Sequence, residues 1–263
     1  MNKITFQEIK MITKQMGSIC KIIRNNVTGT GFICKIPFPD SSNKLTALIT
    51  NGHIFGEKEI CIGNTINLSL NNDKIHISIS IDNKRKVYFS SKYDITIIEI
   101  KTSEIPNFDI NSFLEIDEGI LKEKKETNSE YKNINVYLIY YLGANETQFS
   151  TGIIKSIKDE NILHLCNTGP GSSGAPILNL SNFQVIGIHK GYLKNKNCNI
   201  GTFLNYPIKE FIELNIQSKK NEKNEEKINL KKRNEELKKE LDNERLKNKE
   251  LIKEINKLKN IIE

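Results

Sequence analysis

The stretch Gly171-Ser172-Ser173-Gly174-Ala175-Pro176, followed by the mostly apolar residues Ile177 to Leu180, decides how the rest of this sequence is interpreted. It is typical of a tight turn that carries a nucleophilic serine. A serine hydroxyl becomes a useful nucleophile only beside a base, and its attack creates an oxyanion that needs preorganised donors. The small neighbours of Ser173 let backbone N–H groups point inward. Similar turns occur without catalysis, so the interpretation depends on residues upstream.

Two upstream segments supply a base and an acid. His53 follows the apolar run Thr46 to Thr50, and Asp94 precedes a second apolar run, Ile95 to Ile100. Taken singly, each has an ordinary structural explanation, as a hydrogen-bonded histidine at a strand end or as a strand-start cap. Together they predict a triad: Ser173 attacks, His53 moves the proton, and Asp94 holds the imidazole in the required tautomer.

The chain order His53, Asp94, Ser173, with Gly29-Thr30-Gly31-Phe32 ahead of it, resembles the chymotrypsin-like (trypsin-fold) serine endopeptidases. The shared elements include the glycine-bracketed strand, the Asp-Ile-x-x-Ile pattern and Gly-x-Ser-Gly-x-Pro. The resemblance covers roughly residues 17 to 210. It implies an all-β fold of two six-stranded antiparallel β-barrels, with His53 and Asp94 from the first barrel and Ser173 from the second meeting in a cleft.

The same resemblance makes the backbone N–H groups of Gly171 and Ser173 the oxyanion hole. Zymogen-activated members carry an Asp before the nucleophile that pairs with a newly cut N-terminus, but Ser172 stands there. No activation site resembling Arg-Ile-Val-Gly precedes the first predicted strand. We therefore expect a pocket that forms without propeptide cleavage, or one that is ordered by substrate or assembly.

The run Val185-Ile186-Gly187-Ile188-His189-Lys190-Gly191 resembles the glutamyl endopeptidases and, more distantly, the viral 3C-like proteases. In those relatives the strand histidine and a threonine five residues before the nucleophile bind an acidic or amide P1 side chain; here these positions are His189 and Thr168. An imidazole and a hydroxyl can serve as such partners, and Lys190 would add positive charge. Residues 190–192, including Gly191, are expected to pair with the substrate as an added strand.

Other pocket chemistries are less favoured. Asn167 stands where trypsin-type pockets carry the acid that selects Lys or Arg, so tryptic specificity is disfavoured. A small or apolar P1 residue is the alternative, with His189 as a plain strand residue. His76 and His164 have no partner pattern and are interpreted as ordinary surface or strand residues.

The predicted organisation has three parts. Residues 1–16 form an N-terminal segment with helical character, and residues 17–216 form the protease domain. Short strands rich in Ile, Val, Thr and Phe are predicted through that domain, one of them at Glu59 to Ile62. A polar connection at about 101–134 separates the barrels, and a closing helix is predicted at 207–216.

Residues 217–263 are predicted to form a coiled coil. They contain no Gly or Pro, and aliphatic residues recur at heptad spacing: Leu230, Leu237, Leu251 and Leu258 at d, and Leu241, Ile255 and Ile262 at a. Asn234 and Asn248 at a positions favour a parallel dimer. Glu244 interrupts the d positions, so a trimer, a hetero-partner helix or a solvated single helix is also compatible with the pattern.

The composition argues against several other classes of protein: secreted, membrane-spanning, metal-binding and nucleic-acid-binding. The first 16 residues lack a continuous apolar segment and no apolar run has the length of a bilayer span, so we expect neither a secretory signal nor a membrane span. Five scattered cysteines indicate neither a zinc site nor a disulfide framework, so we expect no metal, no cofactor and a cytoplasmic location. The net charge of +7 is spread evenly and does not indicate nucleic-acid binding.

The sequence therefore predicts a serine endopeptidase that acts on proteins or peptides, prefers Glu or Gln at P1, and is oligomerised or targeted through its C-terminal helix. The alternative is a catalytically inactive protease-fold module that binds extended peptides. Fluorophosphonate labelling distinguishes the two, because only an activated serine reacts.

Overall fold

The computed structural model describes residues 5–24, 27–70, 72–105, 108, 112–122, 130–143 and 146–262. The predicted N-terminal segment (1–16) and the predicted connection (101–134) are therefore described only in part; residues 1–4, 106–107, 109–111 and 123–129 lie outside the described residues. In chain order, the helices and strands are α1 (Phe6–Met16), β1 (Ile19–Arg24), β2 (Val27–Pro37), β3 (Lys44–Thr50), β4 (Thr65–Leu70), β5 (Ile75–Ser80), β6 (Val87–Ser90), β7 (Ile95–Glu99), β8 (Leu114–Glu115), β9 (Asn135–Tyr141), β10 (Thr147–Lys158), β11 (Asn161–His164), β12 (Pro176–Asn179), β13 (Val185–Leu193), β14 (Cys198–Phe203) and α2 (Asn205–Ile262).

The first sheet is antiparallel in the order β5-β4-β1-β2-β3-β7-β6, and the short β8 pairs with β2 in parallel. The outer strands β4 and β5 alternate between buried and exposed side chains: in β4, Ile66, Leu68 and Leu70 are buried while Thr65 and Asn67 are exposed. The central strands β2 and β3 are buried over most of their length. The buried faces enclose an Ile- and Leu-rich core. Ile54 and Phe55, which follow His53, belong to this core, whereas Tyr93 and Ile95, on either side of Asp94, belong to the larger core cluster that also includes the second sheet.

The prediction of two closed barrels is wrong for this first sheet, because β5 and β6 are not paired. The buried guanidinium of Arg85 bridges the opening instead, donating to the Ser80 carbonyl at 2.9 Å and to the Glu99 carbonyl at 2.6 Å. Glu104 accepts from the same guanidinium. The predicted strand at Glu59 to Ile62 is also wrong, since these residues form turns.

The second sheet closes into a six-stranded barrel in the order β10-β11-β14-β13-β12-β9, as predicted. Fully buried side chains from several strands fill it, among them Leu138, Ile177 and Phe203. The helix α1 contacts this barrel through its last turn: Gln15 Nε2 donates to the Phe183 carbonyl at 2.7 Å, and Gln15 Oε1 accepts from the Tyr137 hydroxyl.

The chain divides into two compact units, residues 1–212 and 213–263. Beyond residue 212, the aliphatic side chains at the predicted heptad positions from Leu230 to Ile255 are about half exposed, as for Leu237 (46%) and Leu241 (48%). Among the described helices, none combines the length and the apolarity that crossing a membrane requires.

Candidate active site

The pairing of β3 with β7 brings the predicted base and acid together. The two strands are antiparallel with Thr50 opposite Thr96, so the end of β3 lies beside the start of β7. His53 follows β3 by three residues and Asp94 immediately precedes β7. Residues far apart in the sequence therefore meet at one edge of the first sheet.

The carboxylate of Asp94 makes two kinds of contact with His53. Oδ2 lies 2.8 Å from the ring Nδ1 and Oδ1 lies 3.1 Å from it, while Oδ1 also accepts from the His53 backbone N–H at 2.9 Å. Asp94 has a left-handed backbone with φ +51°, and the buried Asn51 side chain donates to its carbonyl at 2.9 Å. The imidazole is thus oriented through Nδ1, which leaves Nε2 for another partner.

Ser173 lies in the turn between β11 and β12, which we call the nucleophile loop (residues 169–175). The Gly174 N–H donates to the His189 carbonyl at 2.9 Å, and the His189 N–H donates to the Ala175 carbonyl at 2.8 Å, so the loop extends the pairing of β12 with β13. Ser173 Oγ donates to the Lys190 carbonyl at 3.2 Å. The described structure gives no hydrogen bond between Ser173 and His53.

The nucleophile loop is in close contact with the first sheet. A Cβ on Gly174, which has φ +88°, would lie 1.8 Å from the Thr30 carbonyl oxygen of β2. Only glycine fits this approach and this backbone conformation. A second contact joins the two sheets at the acid, where the buried Thr202 hydroxyl of β14 donates to the Tyr93 carbonyl at 2.6 Å.

Every carbonyl from Gly169 to Ser173 accepts a hydrogen bond from a group other than the Ser173 hydroxyl. The donors and distances are Ser172 N–H to Gly169 (3.1 Å), Gly143 N–H to Pro170 (2.7 Å), Thr30 Oγ1 to Gly171 (2.7 Å), Ala175 N–H to Ser172 (3.0 Å) and Thr30 N–H to Ser173 (2.8 Å). The described structure gives the N–H groups of Gly171 and Ser173 no acceptor. Two backbone donors are therefore left beside the Ser173 hydroxyl, where an oxyanion would need them.

A cavity of about 450 Å³ opens next to Ser173. Thr168, His189 and Gly191, which the sequence assigns to substrate binding, are among the residues that line it. The Thr168 hydroxyl donates to Asn199 Oδ1 at 2.8 Å, and Asn199 Nδ2 donates to the Cys166 carbonyl at 2.5 Å. None of the described residues that line this cavity has a side chain that is charged at neutral pH.

His189 has a buried partner, His164. Nε2 of His164 lies 3.1 Å from Nδ1 of His189, and the two rings cross at 76°. Burial lowers the pKa of His164 to about 4; burial, assisted by His164 and His53, lowers the pKa of His189 to about 3. Both rings are therefore neutral at pH 7.

Lys190 is not among the residues that line the cavity, although its carbonyl accepts from Ser173 Oγ. The Lys190 Nζ donates to Asn161 Oδ1 at 3.2 Å. Beyond Lys190, the described residues of β13 pair with β14 on one side only, because β12 ends its pairing at Ile188. The edge from Lys190 to Tyr192 is therefore unpaired next to Ser173.

Four further residues support the site and are not among its sequence-predicted members. The Asn51 side chain donates to the Asp94 carbonyl, and the Thr30 hydroxyl donates to the Gly171 carbonyl of the nucleophile loop. Asn199 accepts from the Thr168 hydroxyl. Each of these contacts joins different strands or loops. His164 was interpreted as an ordinary surface or strand residue, but it is buried against His189. For Asn51 the available sequence signal is its position as a polar residue directly after the apolar run that forms β3; in the structure it is fully buried. Among the described residues, no cluster of His, Cys, Asp or Glu is arranged to bind a metal ion.

Comparison with known proteins identifies the fold. A family model described as a trypsin-like peptidase domain matches residues 29–188. A Glu endopeptidase in complex with MPD is similar with a TM-score of 0.54 at 17% identity, over 76% of this chain and 90% of that chain. A serine endoprotease from Yersinia pestis gives 0.54 at 12% identity, over 80% and 68%, and Deg5 gives 0.53 at 16% identity, over 79% and 95%.

The structural similarities support the fold, and the family match supports the enzyme class, because it spans more than half of the chain. The prediction of a trypsin-fold serine endopeptidase is confirmed at this level. The chain belongs to the trypsin-like peptidase domain family.

Proposed function

We propose that Ser173, His53 and Asp94 form the catalytic triad of this peptidase, with the N–H groups of Gly171 and Ser173 as its oxyanion hole. The observation that carries this proposal is the His53–Asp94 pair at 2.8 Å, beside a serine loop that leaves these two N–H groups without acceptors. These are the groups that acyl transfer needs: a nucleophile, an oriented base and donors for the developing negative charge.

The reaction proceeds in two halves. Ser173 Oγ bonds to the substrate carbonyl carbon while its proton passes to His53 Nε2, and the carbonyl oxygen becomes an oxyanion held by the two N–H groups. The C–N bond then breaks as His53 gives the proton to the leaving amine. Water attacks the acyl-enzyme with His53 again as the base, which releases the carboxylic acid and restores Ser173.

Substrate binding aligns the nucleophile. The unpaired edge from Lys190 to Tyr192 accepts the substrate backbone as an added strand, and a substrate N–H then takes the Lys190 carbonyl as its acceptor. The Ser173 hydroxyl, which donates to that carbonyl at 3.2 Å, turns toward His53 Nε2. Labelling of the purified protein by a fluorophosphonate tests the whole assignment, because only a serine activated in this way reacts.

The cavity beside Ser173 selects Glu or Gln at P1, and its chemistry favours Gln. His164 Nδ1 is buried without a partner among the described residues, and an orphan acceptor occurs more readily than an orphan N–H. The proton of neutral His164 is therefore on its Nε2, which donates to Nδ1 of His189. Because Nδ1 of His189 accepts this bond, the proton of His189 is on its own Nε2. The His189 Nε2–H donates to the side-chain carbonyl oxygen of a P1 Gln. The Thr168 hydroxyl, which donates to Asn199, accepts a hydrogen bond from the side-chain amide nitrogen of the same Gln.

Cleavage of a peptide library is expected to be enriched in Gln, then Glu, at P1. The substitution His189→Ala should lower kcat/KM for a P1 Gln peptide by about 100-fold relative to a P1 Ala peptide, because a buried donor is lost. Because the pKa of His189 is lowered to about 3, the ring stays neutral between about pH 6 and pH 8. The wild-type preference for P1 Gln over P1 Ala should therefore be the same at both pH values.

His76→Ala is the matched control, since His76 is an exposed histidine of β5. It should leave the Gln-to-Ala ratio unchanged. Thr168→Val is a second pocket variant that retains the buried His189 and should reduce the same ratio. A library without enrichment of Gln or Glu, or an unchanged ratio in both pocket variants, contradicts the pocket assignment.

The helix α2 assembles two copies of the enzyme through a parallel coiled coil. Its heptad aliphatic residues are exposed: Leu230 (58%), Leu237 (46%), Leu241 (48%), Leu251 (54%) and Ile255 (50%). The second copy would supply the same stripe, with Asn234 facing Asn234 across an a layer, which favours a parallel pair. Oppositely charged residues at g and e, such as Glu240 and Arg245, fit the same arrangement.

Sedimentation of the full-length chain is expected to give a dimer. The double substitution Leu237→Asp and Leu251→Asp should give a monomer, because two charges would be buried in the d layers. Leu246→Asp is the matched control: Leu246 is equally exposed (59%) but lies outside the a and d positions. A monomeric wild type, or a dimer that survives the double substitution, contradicts the coiled coil.

A further inference from the structure

Thr30 of β2 uses all of its polar groups at the junction of the two sheets. Its N–H donates to the Ser173 carbonyl at 2.8 Å and its hydroxyl donates to the Gly171 carbonyl at 2.7 Å. The same hydroxyl accepts from the Tyr141 N–H at 3.1 Å, and the Thr30 carbonyl accepts from the Thr50 hydroxyl at 2.8 Å. The side chain is fully buried.

These bonds fix two peptide planes of the nucleophile loop. A carbonyl and the following N–H share one rigid plane, so Thr30 orients the Gly171–Ser172 and Ser173–Gly174 peptides. The two planes that carry the oxyanion donors lie before and between them. Their carbonyls are held by Gly143 and by Ala175. Along the loop, the carbonyls held by Thr30, those of Gly171 and Ser173, therefore alternate with the carbonyls held by Gly143 and Ala175. The glycines at 171 and 174 in this loop have φ near +90°.

The hydroxyl of Thr30 is the restraint that ties three parts of the chain together. It connects β2 of the first sheet to the loop and to β9 of the barrel, through a donor and an acceptor that a single Oγ can satisfy at once. Without this group, the Gly171 carbonyl loses its partner, and the Ser172 N–H bond to the Gly169 carbonyl at 3.1 Å is the hydrogen bond that still holds this peptide plane. The Gly171 backbone has little steric resistance to rotation of this plane.

We propose that Thr30 is a positioning residue for the oxyanion hole, holding the nucleophile loop in its catalytic form from the opposite sheet. The Thr30 contacts take the place of the charge pair that an Asp at position 172 would make in zymogen-activated relatives. Ser172 makes only a local contact, donating from Oγ to the Gly169 carbonyl at 2.7 Å. The inference rests on the proposed function. Thr30 acts through the Gly171 and Ser173 peptides and contacts no reacting atom.

The test compares Thr30→Val, which retains the shape of the side chain, with Thr30→Ser, which retains the hydroxyl. For Thr30→Val we expect kcat to fall by about 10- to 100-fold with KM within about threefold of wild type, a part of the effect of losing a whole oxyanion donor. The affinity for a peptide aldehyde, whose adduct with Ser173 carries the oxyanion, should fall by the same factor. Affinity for the product peptide should not change, and Thr30→Ser should restore kcat to within about threefold.

Ser18→Ala is the matched structural control, because it also removes a buried hydroxyl-to-carbonyl bond, the one from Ser18 Oγ to Ser112 at 2.6 Å. It should leave kcat unchanged. If Thr30→Val does not fold, Thr30→Ala, which leaves room for water, is measured in its place. Folded Thr30 variants with wild-type kcat and aldehyde affinity overturn the inference while the proposed function stands; an inactive wild-type protein overturns both.

Discussion

Replacing Ser173 with alanine is expected to lower kcat/KM for peptide cleavage by at least about 10⁴-fold and to abolish fluorophosphonate labelling. The physical reason is that, in the proposed triad, the Ser173 hydroxyl is the group that forms the acyl-enzyme. The hydroxyl makes one hydrogen bond, to the Lys190 carbonyl at 3.2 Å. Its removal should therefore change the free energy of unfolding by only about 1 kcal/mol, and the loss of activity reports on chemistry rather than on folding.

Ser181→Ala provides the control for this experiment. Ser181 lies on an exposed turn of the barrel, where its hydroxyl donates to Asn179 Oδ1 at 2.8 Å. This variant should be labelled and should cleave as the wild type does. Labelling that persists in Ser173→Ala would move the nucleophile to another serine, and a folded wild type that is never labelled would favour the inactive peptide-binding module.

The sequence was sufficient to predict the proposed triad and the P1 pocket for a physical reason. Each of these residues stands beside an apolar run that forms a strand, so its place at a strand end can be predicted from local pattern. His53 and Asp94 needed only the pairing of β3 with β7 to meet. Ser173 was marked by its own glycine-rich turn.

The missed residues act through contacts that local pattern does not encode. His164 reaches His189 across β14, and the register of that strand against both neighbours is set by the closed barrel. Thr30 acts across the junction of the two sheets. Arg85, in a segment of turn-forming residues, replaces strand pairing in the first sheet, which is why the prediction of a closed first barrel failed.

The substitution Asp94→Asn is expected to lower kcat by about 10³- to 10⁴-fold with little change in KM. The Asp94 carboxylate contacts both the backbone and the ring of His53. Its Oδ1 accepts from the His53 backbone N–H at 2.9 Å, so an asparagine would keep its carbonyl oxygen at that position and turn its amide nitrogen toward His53 Nδ1. Nδ1 would then have to accept a hydrogen bond, which moves the ring proton to Nε2. An imidazole with its proton on Nε2 cannot take the proton of Ser173.

Steady-state kinetics and nitrogen-15 NMR of the His53 ring test the two halves of this argument together. The spectrum should report the proton on Nδ1 in the wild type and on Nε2 in Asp94→Asn, in step with the loss of kcat. Asp82→Asn removes the same charge from an exposed carboxylate that pairs with Lys101 at 2.9 Å, and it should leave both readouts unchanged. A variant with kcat within about tenfold of wild type, or a changed tautomer without a change in kcat, would show that Asp94 does not govern the base, because the assigned role requires tautomer and rate to change together.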